Sequence, residues 1–193
     1  MWKSLSSYLR PDKRFKDVSE IDLEILKSEG VKGIILDLDD TLLPSDIKTN
    51  KDKIDNWLKK AKKDFSLFVV SNNSRHDYVK KFCEKFDIPF IARATKPRSK
   101  FLHKAMLQMK LNKGDIVIIG DRLTTDILAG KLFGIKAFLV APLTEMPSIF
   151  QKIVYKIEAK VLKMIEPIAE VAPTPIKDAV KEELKKVEIK AEN

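Results

Sequence analysis

Apolar residues in this chain follow two alternating patterns. Three runs, Gly33-Ile34-Ile35-Leu36, Phe65-Ser66-Leu67-Phe68-Val69-Val70-Ser71 and Asp115-Ile116-Val117-Ile118-Ile119-Gly120-Asp121, leave almost no polar position for a wet face. Each predicts a strand buried on both sides. Residues 89–92 and 135–140 predict two shorter strands. Between the runs the apolar spacing changes to three and four: Ile54, Trp57, Leu58 and Ala61 within 51–63, residues 75–86, and Phe101, Leu102, Ala105, Met106 and Met109 within 99–110. A further such stretch, 124–133, is stopped by Gly134. These predict helices. Strands alternating with helices at this interval predict βαβ units: an α/β fold with a mostly parallel sheet and helices on both faces.

The two ends of the chain read differently. In residues 1–30, Arg10-Pro11-Asp12 predicts a turn. Residues 19–26 predict a short helix begun by Ser19, with Ile21, Ile25 and Leu26 toward the sheet and Gly30 closing it. From 149 to 165, Phe150, Ile153, Val154, Ile157, Val161 and Ile165 form one stripe flanked by Lys152, Lys156, Lys160 and Lys163, a basic amphipathic helix. Beyond Pro167 the composition turns to Ala, Pro, Lys and Glu, which predicts a flexible tail with at most a fraying helix near 176–187. The expected organisation is a segment packing on the core (1–30), the main domain (31–147), the basic helix (148–167) and the tail (168–193).

The strand ends carry the chemistry. Asp37 and Asp39 are two apart, so in strand geometry their side chains lean to the same side and can serve one reacting centre. One carboxylate can act as nucleophile while the other handles a leaving group's proton; the structural alternative is an acidic turn capped by Thr41. The second run ends in Ser71 and Asn72, a loop before a helix holds Lys96-Pro97, and the third run ends in Gly120-Asp121 with Asp126 five residues on. In a parallel sheet with helical crossovers all of these emerge at one edge, where open α/β sheets place their ligands. An anionic nucleophile, a second acid, a hydroxyl and a lysine for phosphate oxygens, and further acids for a hard cation together point to phosphoryl transfer.

Composition narrows the setting. The 193 residues, 44% hydrophobic and 34% charged, allow one ordinary domain with an appendage. The single cysteine, Cys83, excludes an internal disulfide and a cysteine-rich zinc site, and fits a reducing compartment. The first ten residues lack the apolar core of a signal peptide, and no stretch approaches the roughly 18 apolar residues of a spanning helix. The expected location is the cytoplasm. Net charge is +9, much of it local: between Asp87 and Asp115 there is no acid, while Arg93, Lys96, Arg98, Lys100, Lys104, Lys110 and Lys113 supply seven positive charges. Such a block suits an anionic partner (phosphorylated substrate, nucleic acid or membrane surface) or a solvated lysine-rich face.

Asp37-Leu38-Asp39-Asp40-Thr41, Ser71, Lys96-Pro97 and Gly120-Asp121-Arg122-Leu123-Thr124-Thr125-Asp126 resemble motifs I to IV of the haloacid-dehalogenase (HAD) superfamily of phosphatases, over roughly residues 30–142. The opening Leu-Arg-Pro-Asp, Ser-Asn-Asn, Lys-Pro and Gly-Asp-Arg-x-x-Thr-Asp resemble more narrowly the YqeG-type branch of subfamily IIIA, related to phosphatidylglycerophosphate phosphatases. The resemblance implies a HAD-like Rossmannoid fold. It also implies that Asp37 takes the phosphoryl group as an aspartyl-phosphate, and that Asp39 protonates the leaving alcohol and then deprotonates water. It further implies Mg²⁺ between Asp37, the backbone carbonyl of Asp39 and Asp121, with Asp126 orienting the cluster. Ser71, the backbone beside Asn72, and Lys96 clamp phosphate oxygens in that pattern.

Only 33 residues separate Asp37 from Ser71, and 24 separate Ser71 from Lys96; each interval is filled by one helix and one strand, leaving no room for a cap domain. Capless members of the resembling family typically take large substrates. Phosphatidylglycerophosphate, met at the inner face of an anionic membrane, is the leading expectation. The alternatives are a soluble sugar, nucleotide or protein phosphate, and a basic HAD-like scaffold binding RNA. Around the motifs, Thr41 is expected to hold the loop through side-chain-to-backbone bonding, Asn73 to be a turn residue, and Arg122 a surface residue. His76 and His103 are expected on helix surfaces, Trp57 in the core, and Cys83 beside it.

Overall fold

The computed structural model describes residues 2–44, 52–144 and 147–165, with the backbone alone for 2–5. Helix α1 (Trp2–Leu9) is followed by β1 (Lys13–Phe15), α2 (Leu23–Ser28), β2 (Gly33–Leu36), α3 (Asp52–Asp64), β3 (Ser66–Val70), α4 (His76–Phe86) and β4 (Phe90–Ile91). Then come α5 (Lys100–Met109), β5 (Ile116–Gly120), a π-helical turn (Leu123–Ile127) running into α6 (Leu128–Phe133), β6 (Lys136–Val140) and α7 (Ile149–Met164). The six strands form one sheet in the order β1-β6-β5-β2-β3-β4, with every pairing parallel.

Alternation along the strands divides the core in two. Ile34 and Leu36 of β2, with Leu67, Val69, Val117, Ile119 and Phe138, face the side covered by α2, α3 and α4. Ile35, with Phe68, Val70, Ile116, Ile118 and Ala137, faces the side covered by α5 and α6. This is the two-sided burial that the unbroken apolar runs required. Ile54, Trp57, Leu58 and Ala61 are all buried, and the Trp57 indole donates to the Ile21 carbonyl at 2.9 Å. Gly134, at φ +83, ends α6 in the left-handed conformation and returns the chain into β6.

The amino-terminal segment departs from expectation. Instead of only a turn and one helix, it supplies β1, which extends the sheet beyond β6 through the register Lys13↔Phe138 to Phe15↔Val140. Three residues, two of them basic, carry too short an alternation to register as a strand; an edge position with one solvated side tolerates them. The helix starts at Leu23, not Ser19, because the Asp22 carboxylate accepts from the backbone N–H groups of Glu24 and Ile25 at 2.9 and 3.3 Å. Ile21 and Leu26 are buried as expected, but Ile25 faces outward. The tail reading for 168–193 lies outside the described residues.

Cys83 sits inside α4 against the first core face. Burial pushes its thiol up to about 12. A thiol reagent at pH 8 is expected to leave the native protein unlabelled and to titrate one thiol in denaturant; stoichiometric labelling of native protein would show that α4 is not packed as described.

Candidate active site

The carboxyl ends of β2, β3 and β5 converge, and each hands over its side chains differently. Past Leu36 the ladder continues one residue, since the Asp37 N–H donates to the Ile119 carbonyl at 3.0 Å, so the first acid is fixed as rigidly as the strand. The chain then folds back. Leu42 and Leu43 N–H groups both bond the Leu38 carbonyl at 2.9 Å, and Asp40 takes a left-handed φ of +58. Aspartate tolerates that conformation, and its carboxylate accepts hydrogen bonds from Thr144, from Gln151 Nε2 at 3.0 Å and from the Tyr155 hydroxyl at 3.0 Å. Asp39 meets Asn73 Nδ2, at 3.1 and 3.0 Å from its two oxygens, and the Ser71 hydroxyl at 3.4 Å.

Lys96 is at the centre. Its ammonium, buried with its side chain 1% exposed, lies 2.7 Å from Asp37 Oδ1 and 2.6 Å from Asp126 Oδ1. The Asn72 side chain pins the lysine's own peptide groups, Oδ1 accepting from Lys96 N at 2.7 Å and Nδ2 donating to Lys96 O at 3.2 Å. Asp126 Oδ2 accepts from the Arg122 N–H at 3.1 Å. A side chain on Gly120 would place its Cβ 2.3 Å from Asp126 Cγ, so this acid reaches the cluster only because the last residue of β5 is glycine. Asp121 is held by the hydroxyls of Thr41 at 3.2 Å and Tyr155 at 3.3 Å.

Asp37, Asp121 and Asp126 are all buried, and each offers one oxygen within 4.8 Å of the others. Burial pushes Asp37 up to about 7, the Asp126 charge adding to the rise and Lys96 opposing it. Burial, then the charges of Asp126 and Asp37, raise Asp121 well above the ordinary carboxylate range. Burial works against a charged Lys96, but Asp126 and Asp37 outweigh it and hold the ammonium protonated. Three acids against one lysine leave a buried negative excess on hard oxygen donors. That donor set suits a divalent, oxygen-seeking cation. A cavity of about 320 Å³ opens here, lined by Asp37, Asp39, Lys96 and Asp121 together with Arg75, Gln151 and Tyr155.

Asp37, Asp39, Ser71, Asn72, Lys96, Asp121 and Asp126 therefore lie together, while several neighbours differ from the sequence reading. Asn73 is no mere turn residue, since its amide holds Asp39. Thr41 bonds the Asp121 side chain rather than backbone. Arg122 is half-buried, its Nε 3.2 Å from Glu158 Oε2 and its guanidinium over the Tyr155 ring. Lys96 is neutralised, so the seven positive charges of its stretch are not all free. His76 and His103 are exposed on their helices, as expected.

Helix α7 differs most. Its stripe splits: Val154, Val161 and Ile165 turn inward, while Phe150, Ile153 and Ile157 turn outward. The inward face also carries Gln151, Tyr155 and Glu158, whose Oε1 accepts from the Thr124 hydroxyl and N–H at 2.6 and 3.2 Å. Their spacing of four and three was the available signal.

Comparison with known proteins gives a consistent result. Residues 4–144 match the family model described as mitochondrial PGP phosphatase, a match that ends before α7. The chain is 35% identical over 163 residues to a probable phosphatase, YqeG, of Bacillus subtilis, covering 84% of this chain and 94% of that protein. It is 31% identical over 128 residues to the mitochondrial phosphatidylglycerophosphatase GEP4 of Saccharomyces cerevisiae, covering 58% and 68%. Among solved structures, the cobalt-bound deoxy-D-mannose-octulosonate 8-phosphate phosphatase of Haemophilus influenzae is similar at a TM-score of 0.47 and 15% identity, covering 71% of this chain and 90% of that one.

Gly120→Ala tests how tightly the cluster is packed. The added methyl meets the Asp126 carboxylate, so a loss of about 1–3 kcal/mol is expected from urea unfolding. An unchanged midpoint would mean that Asp126 does not press against β5.

Proposed function

Because the chain belongs to the mitochondrial PGP phosphatase family and is a HAD-type phosphatase, we propose that it removes the terminal phosphate of phosphatidylglycerophosphate by way of an aspartyl-phosphate. The observation that carries this reading is the ammonium of Lys96 buried against Asp37, the acid fixed at the end of β2. In the reaction an Asp37 oxygen attacks phosphorus and the bond to the leaving alcohol oxygen breaks, with Asp39 delivering its proton to that oxygen. Asp39 then takes a proton from water, whose oxygen attacks the aspartyl-phosphate and releases inorganic phosphate, regenerating the Asp37 carboxylate. Lys96, the Ser71 hydroxyl and the backbone beside Asn72 hold the non-bridging oxygens as charge moves. Asn73 orients the proton-carrying acid.

Mg²⁺ is the cation we assign to the buried acids; Asp37, the backbone carbonyl of Asp39 and Asp121 would hold it, with Asp126 beside them. When bound, it offsets the repulsion between an anionic carboxylate and an anionic phosphate ester. The protein's own part is to keep Asp121 aimed, through Thr41 and Tyr155, and to keep Lys96 charged, through Asp126.

The lipid assignment draws on α7. Its outer side exposes Ile149 (80%), Phe150 (74%), Ile153, Ile157 and Met164, bordered by Lys152, Lys156, Lys160 and Lys163. No helix among the described residues is long and apolar enough to cross a membrane. An apolar ridge edged with lysines suits a helix lying on an anionic surface, where each lysine contributes about 1 kcal/mol. That face would hold the protein at the cytoplasmic side of the bilayer, the surface that presents the lipid's headgroup.

Wild-type protein is expected to sediment with anionic vesicles at low salt, to release phosphate from phosphatidylglycerophosphate in them, and to lose activity in EDTA until Mg²⁺ is restored. Asp37→Asn and Asp39→Asn should each lower turnover by orders of magnitude with the fold intact by circular dichroism. Efficient hydrolysis of soluble sugar or nucleotide phosphates with the lipid spared would move the substrate to that class; substantial turnover by Asp37→Asn would remove the covalent route.

A further inference from the structure

Among the residues lining the cavity, Arg75 begins α4 with its guanidinium over the Tyr78 ring, 4.7 Å from the centroid. It is exposed, and among the described residues no carboxylate pairs with it. Arg122, which lines the same cavity, is already engaged by Glu158. An arginine whose guanidinium rests over an aromatic ring is held in place while its donors stay free, which fits it to grip an anion.

Its position is tied to one side of the site. The Asn73 amide donates to Asp39 through Nδ2 and accepts from the Arg75 N–H through Oδ1 at 2.9 Å. One side chain therefore fixes both the acid and the start of α4. Tyr78, beneath the guanidinium, is raised by burial and then by the adjacent Asp39 charge, which places the stack next to the same acid. On the reading above, Asp39 serves the leaving alcohol, so Arg75, tied to Asp39 through Asn73, stands on the leaving-group side.

We propose that Arg75, cradled on Tyr78, is a specificity-determining residue that binds a second anionic group carried by the leaving alcohol, such as a phosphodiester. This rests on the phosphatase reading with Asp39 on the leaving-group side. It makes the preferred substrate one with two anionic groups: the monoester that is cleaved, and a second a few bonds beyond the scissile oxygen.

The test uses two soluble substrates, so that membrane binding plays no part. Glycerophosphoglycerophosphate has a leaving alcohol that carries a phosphodiester; glycerol 3-phosphate has one that carries none. Wild-type protein is expected to show the lower KM for the first. Arg75→Gln should raise that KM about tenfold, the scale of one charge-assisted contact near a surface, with kcat within about twofold and the KM for glycerol 3-phosphate unchanged. Arg75→Lys, which keeps the charge, should recover most of the loss. An equal KM rise for both substrates, or no rise for either, overturns the assignment and leaves the phosphatase reading standing. Wild-type protein that hydrolyses neither substrate overturns that reading and the role of Arg75 with it.

Discussion

Burying the Lys96 ammonium between two carboxylates removes three charges from water, a cost of several kcal/mol per ion that is recovered only where the geometry is good and further hydrogen bonds satisfy each group. Much of the carboxyl edge of the sheet meets that requirement. Asn72 fixes the lysine's peptide groups, Arg122 N–H and the bare Gly120 fix Asp126, and the ladder between β2 and β5 fixes Asp37. Asp121 adds a third buried acid without a second lysine. The remaining negative charge gives this edge its affinity for a proton or a cation, and raises Asp37 and Asp121 together. The phosphatase carries at its centre an electrostatic imbalance that a ligand can resolve.

Helix α7 ties that centre to the periphery. Through Gln151 and Tyr155 it holds Asp40, whose left-handed turn directly follows Asp39, and through Glu158 it fixes Arg122 and Thr124. The same helix turns its apolar and lysine residues outward. Its two faces thus meet the acids of the site on one side and the surroundings on the other.

The strands, the parallel sheet and the residues at the strand ends were legible in the sequence because their signals are local: an unbroken apolar run followed at once by a carboxylate or a hydroxyl. Three other features were not. Strand β1 depends on β6, which lies some 120 residues later, and nothing in Lys13-Arg14-Phe15 announces it. Asn73 follows Ser71 by two and shares its side of the strand end, but a residue after Ser-Asn reads equally well as a turn. Tyr155 and Glu158 take their roles from contacts 34 and 36 residues distant, on the polar face of a helix whose local pattern is dominated by its apolar stripe.

Whether the three buried acids hold more negative charge than Lys96 can balance is read out by calorimetric titration of Mg²⁺ into chelator-stripped protein in buffers of different ionisation enthalpy. Asp37, raised by burial to about 7, retains a proton below that pH and loses it above. Cation binding should therefore release more protons at pH 6 than at pH 8, and Asp37→Asn should diminish that difference. Tight Mg²⁺ binding at pH 6 without proton release, or no Mg²⁺ binding at either pH, would contradict the account.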